Sequence, residues 1–344
     1  MNNTYLNWVL QNTPTKWWHD SAATAELDLG LERGAIGATT NPFLSNIALR
    51  TDRELWASEI DAILARNLPA EQKAEALMQI PVTRCAAKLR AEHERTGGQS
   101  GFVCSQVNPV RAGDRECMFA MAKRFHSWAP NIAVKLPATA AGLDVLEDCA
   151  AEGITTAATV SFTVPQALHI AERHRAGSAR ARAKGIQPGK CFAVIMIGRL
   201  DDYLREIAHD NQTDVREQDI RQSGLAVTKR AYNMYKERGY DAVLLVAALR
   251  GSYHLTELAG ADLIMSIHPT PQKFFCEAED HPREERIGVP VADEVIDRLR
   301  RMPEFVRAYE PDGMTANEFV TYGVTQRTLC QFAEVGWKLM ESYK

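Results

Sequence analysis

Short apolar runs recur along the chain. Each ends in a polar or small-residue turn and gives way to a stretch with the three-to-four-residue rhythm of an amphipathic helix. The runs are 15–20 (TKWWHD), 35–41 (AIGATTN), 101–107 (GFVCSQV), 131–137 (NIAVKLP), 155–161 (TTAATVS), 191–198 (CFAVIMIG), 242–249 (AVLLVAAL) and 263–268 (LIMSIH). Between them lie helical stretches such as 71–94, with a break expected near Pro81, and 219–238, each long enough to cross back over a sheet. Strands alternating with helices of that length imply right-handed crossovers and a parallel sheet. Eight such runs predict closure into a barrel rather than an open, doubly wound sheet. An open sheet would carry a glycine-rich nucleotide turn after its first strand, and TKWWHDSAAT contains no glycine. The expected architecture is therefore an α/β protein, a single (β/α)8 TIM-barrel domain over residues 1–344 with an additional C-terminal helix. Two stretches fall outside the plain repeat. Residues 173–190 form a basic insertion, read as a solvated helix end and loop with a phosphate-attracting or subunit-contacting role as the alternative. Residues 278–312 form a charged, proline-containing stretch ahead of a final helix near 317–343.

Composition narrows the function more than the fold. With 45% hydrophobic and 24% charged residues in 344, the chain can bury a large core. A formal charge of -4 leaves no basic surplus of the kind that grips a nucleic-acid backbone. No run approaches the roughly 18 apolar residues of a membrane helix and the start lacks a signal-like pattern, so neither nucleic acid nor membrane is an expected partner and a cytoplasmic location is expected. Seven cysteines are scattered without a CxxC pair or a histidine at ligand spacing, which reads as reduced thiols in or near the core rather than a metal site.

In a barrel of this kind, functional groups sit at the carboxyl ends of the strands. The polar residues there are Asp20, then Thr39, Thr40 and Asn41, then Ser105 and Gln106, then Lys135, then Thr159 and Ser161, and finally Arg199, Arg250 and His268. Lys135 is flanked by apolar residues within its strand, and alternation points it into the barrel if Val134 and Leu136 face the helices. An inward lysine loses water, which disfavours the ammonium and frees the amine to attack a carbonyl carbon. The bland alternative is a lysine paired with an interior acid to hold the barrel. Asp20 is the candidate acid/base group for moving a proton as a carbon–carbon bond breaks, or else a simple cap on a helix beginning at Ser21. Arg199 and Arg250, following successive strands, suit a two-pronged grip on phosphate.

These residues sit in two motifs that resemble the transaldolases and the related fructose-6-phosphate aldolases. One is GATTNPFLSN (37–46). The other is AVKLPATAAGLDVLEDCAAEGITTAATVSFTVPQA (133–167), similar to that family's Schiff-base segment; weaker similarity runs through IGRLDDYL, AYNMYKE and QFAEVGWKLMES. The resemblance implies Lys135 as the Schiff-base lysine and Asp20 as the acid/base group. It implies Thr39 and Asn41 as substrate contacts, Thr159 as a partner in holding the catalytic water, and Arg199 and Arg250 as phosphate ligands. The implied reaction passes a dihydroxyacetone unit between sugar phosphates, with no metal or organic cofactor because the lysine is itself the electron sink. A homodimer is left open.

Four positions depart from the pattern. Gln106 stands where a transaldolase carries a water-activating glutamate, as in the fructose-6-phosphate aldolases, and an amide takes no proton at neutral pH. Met196 stands where those aldolases carry a tyrosine, and Val194 and Ala157 replace a small hydroxylated residue and an asparagine. The alternatives to a transferase are thus a lyase-type aldolase that needs no acceptor, or a barrel kept for binding or assembly.

Overall fold

The computed structural model describes residues 4–272 and 281–344. Seven strands are all parallel: β1 (Lys16–His19), β2 (Val103–Gln106), β3 (Ile132–Pro137), β4 (Thr156–Thr159), β5 (Cys191–Met196), β6 (Val243–Ala247) and β7 (Ile264–Ile267). They form one curled sheet in the order β1-β7-β6-β5-β4-β3-β2. Helices follow the strands, among them Ala140–Ala151, Val164–Ala183, Ile197–Asp210 and Ser223–Arg238. Strands β2, β3, β4, β5 and β7 are buried at every position, as expected of a parallel sheet covered by helices.

Seven of the eight expected strands are found; the second run, 35–41, is not one. Within it only Ala38 pairs, bridging His19 of β1 on one side and Val103 of β2 on the other. The pairing is short because the chain turns away at once. The Thr40 hydroxyl donates to the Cys104 carbonyl at 2.7 Å, and Asn41 caps the helix Pro42–Thr51 by accepting from the Leu44 N–H at 2.9 Å. The backbone nevertheless ties to both sheet edges. His19 N–H donates to Gly37 O (2.9 Å), Thr39 N–H to His19 O (2.8 Å), Ala38 N–H to Phe102 O (2.8 Å) and Cys104 N–H to Ala38 O (3.0 Å).

Aromatic rings fill the interior of the sheet. Trp18 packs edge-on against Phe192 with centroids 4.6 Å apart, and Phe102 meets Phe192 at 5.5 Å. That filling explains the glycine that opens GATTNP, since a Cβ on Gly37 would lie 2.5 Å from the Trp18 ring.

Several finer expectations change. The helix Ala70–Arg95 runs unbroken through Pro81, which lies within its buried stripe of Leu77, Met78, Val82 and Cys85. The stretch 219–238 divides into Glu217–Ile220 and Ser223–Arg238. The basic insertion is mostly the second half of Val164–Ala183. Three of its four arginines are matched by acids elsewhere in the chain, Arg173 by Asp144 and Glu147, Arg180 by Glu147 and Asp148, and Arg182 by Asp241, while Arg175 donates to the carbonyls of Arg238 and Gly239. The stretch 278–312 lies outside the described residues over 278–280 and then holds the helices Asp293–Leu299 and Pro303–Tyr309. The final helix is the 3-10 turn Ala316–Thr321, the α-helix Gly323–Phe332, a π-helical turn Ala333–Trp337 and the short helix Lys338–Glu341. Burial raises the thiols of Cys85 and Cys191 to about 12 and of Cys104 to about 11, in line with inert core cysteines, whereas Cys117 is half-buried and Cys330 is exposed; Cys276 lies outside the described residues. No helix among the described residues is long and apolar enough to cross a membrane.

Candidate active site

A cleft of about 200 Å³, open to solvent, lies at the carboxyl ends of the strands. Asp20, Thr39, Asn41, Lys135, Arg199, Arg250 and His268 all line it, so the strands bring together seven of the twelve strand-end residues singled out in the sequence. The other five are buried around it. Thr40 and Ser161 serve the backbone, donating to the carbonyls of Cys104 and Val194. The side-chain oxygens Ser105 Oγ, Gln106 Oε1 and Thr159 Oγ1 have no hydrogen-bond partner among the described residues.

Lys135 is 5% exposed, and its Nζ donates to the Thr40 carbonyl at 3.3 Å. No acid is hydrogen-bonded to it among the described residues, which removes the reading of a lysine ion-paired to hold the barrel. Register places Gln106 beside it on β2 and Ala157 beside it on β4. Side chains of paired residues in a parallel sheet share a face, so Gln106, Lys135 and Ala157 form one inward row. Thr159, paired with Pro137, lies one inward step further along β4.

Asp20 follows β1 but caps nothing. The next helix begins at Thr24, and Ser21 supplies the local turn by accepting from the Ala23 N–H and donating to Glu26. The carboxylate Oδ1 of Asp20 instead accepts from the Thr39 hydroxyl at 2.6 Å. Thr39 Oγ1 is also hydrogen-bonded to Ser266 Oγ. Thr39 has one hydroxyl proton and gives it to the acid, so the chain must run Ser266 to Thr39 to Asp20. Asn41 spends its Oδ1 on the helix cap while its side chain borders the cleft.

The two arginines stand at the far side. Arg199 lies in the first turn of Ile197–Asp210, which starts directly from β5. It donates to Gln331 Oε1 at 2.6 Å and sits over the Phe332 ring at 5.3 Å. Burial, and next the charge of Arg250, lower its guanidinium from 12.5 to about 10. Two cations facing one cleft disfavour each other, and an anion placed between them would relieve both.

Sequence reasoning missed Ser266, Gln331 and Phe332. Ser266 was legible by alternation, two residues before His268 on β7. Gln331 and Phe332 carried no local signal. They reach the cleft because Gly336, whose Cβ would lie 2.6 Å from Phe43 N, lets the C-terminal segment press onto the start of Pro42–Thr51.

Known proteins resemble this chain over much of its length. Residues 17–331 match the model of the transaldolase/fructose-6-phosphate aldolase family. A transaldolase of Neisseria gonorrhoeae is 30% identical over 218 residues, covering 62% of this chain and 60% of that protein. A transaldolase of Thiobacillus denitrificans is 26% identical over 306 residues, covering 80% of this chain and 82% of its own length. A probable transaldolase of Dehalococcoides mccartyi is 26% identical over 264 residues, covering 76% and 89%. The alignment thus spans less than two thirds of the gonococcal protein, and 52% of a transaldolase of Neisseria meningitidis serogroup A. By the family model that matches nearly its whole length, the chain belongs to the transaldolase/fructose-6-phosphate aldolase family.

Proposed function

We propose that this protein is a transaldolase-like enzyme that transfers a dihydroxyacetone unit between sugar phosphates through a Schiff base on Lys135. In this reading the chain is one domain, an eight-stave barrel whose eighth stave is the short segment around Ala38. The observation that carries it is the buried amine of Lys135, free of any bonded acid among the described residues, in one cleft with a carboxylate and two guanidinium groups.

The steps follow from these groups. The Lys135 amine adds to the ketose C2 carbonyl and water leaves, giving an iminium ion. Asp20 takes the proton of the C4 hydroxyl as the C3–C4 bond breaks, and the bond's electrons pass into the iminium to give an enamine and a free aldehyde. Thr39 orients Asp20, and Ser266 orients Thr39. The enamine then attacks an acceptor aldehyde, Asp20 returns the proton to the new hydroxyl, and water releases the product. Arg199 and Arg250 hold the phosphate end. Gln106 and Thr159, with unpartnered oxygens beside the lysine row, would hold the water of the addition and release steps.

A second reading is favoured by Gln106, whose amide accepts a hydrogen bond but no proton. It is a class I aldolase that releases free dihydroxyacetone without an obligatory acceptor. Fructose 6-phosphate incubated with and without erythrose 4-phosphate separates the two. Cleavage only with the acceptor supports transfer, and equal cleavage without it supports the aldolase. Borohydride trapping over a panel of ketoses tests what they share: absence of any mass adduct on Lys135 would overturn both and leave a binding barrel.

A further inference from the structure

Arg250 is fixed more elaborately than a surface arginine needs. Its Nε donates to Asp202 Oδ2 at 2.9 Å, its Nη2 forms an ion pair with the same oxygen at 2.8 Å, and its Nη1 donates to the Ala248 carbonyl at 3.0 Å. Its backbone N–H donates to Nδ1 of His254 at 3.1 Å. His254 is wholly buried, and its Nε2 meets Oδ2 of the equally buried Asp201 at 2.9 Å. The other oxygen of Asp201 accepts from the Ser223 hydroxyl and the Gly224 N–H, each at 2.8 Å.

The polarity of this chain is determined. A backbone N–H only donates, so Nδ1 must be bare; a carboxylate only accepts, so Nε2 must carry the hydrogen. The chain connects the two arginines through one helix. Ile197–Asp210 carries Arg199 into the cleft, sends Asp202 to the Arg250 side chain, and sends Asp201 through His254 to the Arg250 backbone. The same helix start gives way sterically, since a Cβ on Gly198 would lie 2.3 Å from the Ala248 carbonyl. Ala248 is itself held at a φ of 61°, a conformation that a non-glycine residue keeps only under constraint. Neither Asp201 nor His254 lines the cleft.

We propose that Asp201 and His254 are positioning residues for the anion site. They set the Arg250 loop against the helix that bears Arg199, and so govern affinity for a phosphoryl group without touching the carbon chemistry at Lys135. This rests on the reading of Arg199 and Arg250 as phosphate ligands given above.

The test is Asp201→Asn, which is isosteric. An amide in that place cannot accept from both His254 and Gly224; one orientation forces the imidazole to present a hydrogen to the Arg250 N–H, and the other sets two donors together at Gly224. Calorimetric titration with inorganic phosphate is read beside steady-state kinetics with D-glyceraldehyde 3-phosphate and with D-glyceraldehyde as acceptors. The expected result is phosphate binding weaker by about tenfold, a matching rise in KM for the phosphorylated acceptor, and a kcat with D-glyceraldehyde within about twofold of wild type. Unchanged phosphate affinity overturns the proposal, as does an equal fall of kcat with both acceptors, the mark of a purely structural pair. Should Asp201→Asn lose its fold by circular dichroism, His254→Gln decides on the same readouts, because its amide nitrogen can replace Nε2 as donor toward Asp201 while its oxygen is displaced from the position where Nδ1 accepts from Arg250. Failure of the wild-type protein to bind phosphate would sink the arginine reading itself, and the positioning proposal with it.

Discussion

Replacing Thr39 by valine isolates the contact that the site makes to Asp20. Valine matches threonine in shape, so the cleft keeps its volume and only a hydroxyl is lost. That hydroxyl donates to Asp20 at 2.6 Å and links to Ser266, which is 2% exposed. Two effects follow from one deletion. The carboxylate loses a charge-assisted hydrogen bond, worth about 1.5–3 kcal/mol, and with it the orientation that, in the proposed mechanism, aims Asp20 at the C4 hydroxyl. Ser266 loses its partner, a stability penalty of about 1–3 kcal/mol for an unsatisfied buried hydroxyl. If the first effect is expressed in the transition state, turnover falls by about 10- to 150-fold at roughly 1.4 kcal/mol per decade. The assay is kcat for donor cleavage, with the borohydride adduct on Lys135 measured in parallel. The adduct should form in Thr39→Val, because the amine is untouched, while cleavage slows; Thr39→Ser, which keeps the hydroxyl, should recover most of the rate. Turnover of Thr39→Val within about twofold of wild type would refute the role given to the Ser266–Thr39–Asp20 chain.

Lys135→Met should fold like wild type, since Nζ makes a single bond to a carbonyl, yet give no trapped adduct and no cleavage of any ketose by mass and turnover assays. Gly198→Ala drives a Cβ to 2.3 Å from a backbone carbonyl and 2.4 Å from Arg250 Cγ, so a displacement of about 1 Å should raise KM for phosphorylated acceptors by about 10- to 100-fold in steady-state kinetics. Asp219→Asn should lower the melting temperature at neutral pH by several degrees. Arg298, and then Arg216, hold the buried Asp219 carboxyl well below the usual carboxylate range. A depressed folded-state pKa means that this stability is present above the unfolded value of about 4 and is lost as pH falls through the folded one; the gap between wild type and variant should therefore narrow below about pH 4 in melting curves. Ala157→Asn with Val194→Ser should shift the ratio of kcat/KM between hydroxyacetone and dihydroxyacetone as donors toward dihydroxyacetone, by about tenfold, because each adds a hydrogen-bonding group to an apolar wall.

Which parts of this molecule could be read from its sequence follows a physical division. The strands were legible because parallel strands buried on both faces are short apolar runs, and their carboxyl ends were legible because polar side chains there have no packing reason to exist. Lys135 was legible on both counts. The run at 35–41 misled because Thr39, Thr40 and Asn41 have strand-like spacing while Thr40 and Asn41 bind the next loop and cap the next helix, which stops the pairing at Ala38. Thr39, expected as a substrate contact, does line the cleft; what no local pattern encodes is that its hydroxyl also pairs with Asp20 across two strand ends. Pro81 stayed in its helix because tertiary packing of a buried stripe outweighs the one lost hydrogen bond. The stretch 173–190 was legible as a helix end and loop, but the partners of Arg173, Arg180 and Arg182 were not, because Asp144, Glu147, Asp148 and Asp241 lie far from them in sequence.

The same division separates reaction from recognition within the cleft. Along the strand order, the polar lining comes from β7, β1 and the segment around Ala38, where Ser266, Asp20, Thr39 and Asn41 converge. The strands β5 and β6 supply Val194, Met196, Leu245 and Ala247, and only past their ends do Arg199 and Arg250 appear. In the proposed mechanism, breaking a carbon–carbon bond beside an iminium needs one amine and one oriented acid; the acid stands on this polar arc and the amine stands on β3, in the same cleft. In that mechanism an apolar wall ending in two cations takes no part in proton transfer; it would select, by leaving a buried hydroxyl unpaired in the middle and rewarding an anion at the rim. Substitutions on β5 and β6 should therefore move substrate preference with little change in the ability of Lys135 to form an adduct, whereas substitutions at Asp20, Thr39 or Ser266 should slow every substrate alike. Because one helix start joins the wall to the rim, through Gly198, Arg199, Asp201 and Asp202, the selective half can be retuned as a unit while the lysine and its acid stay where they are.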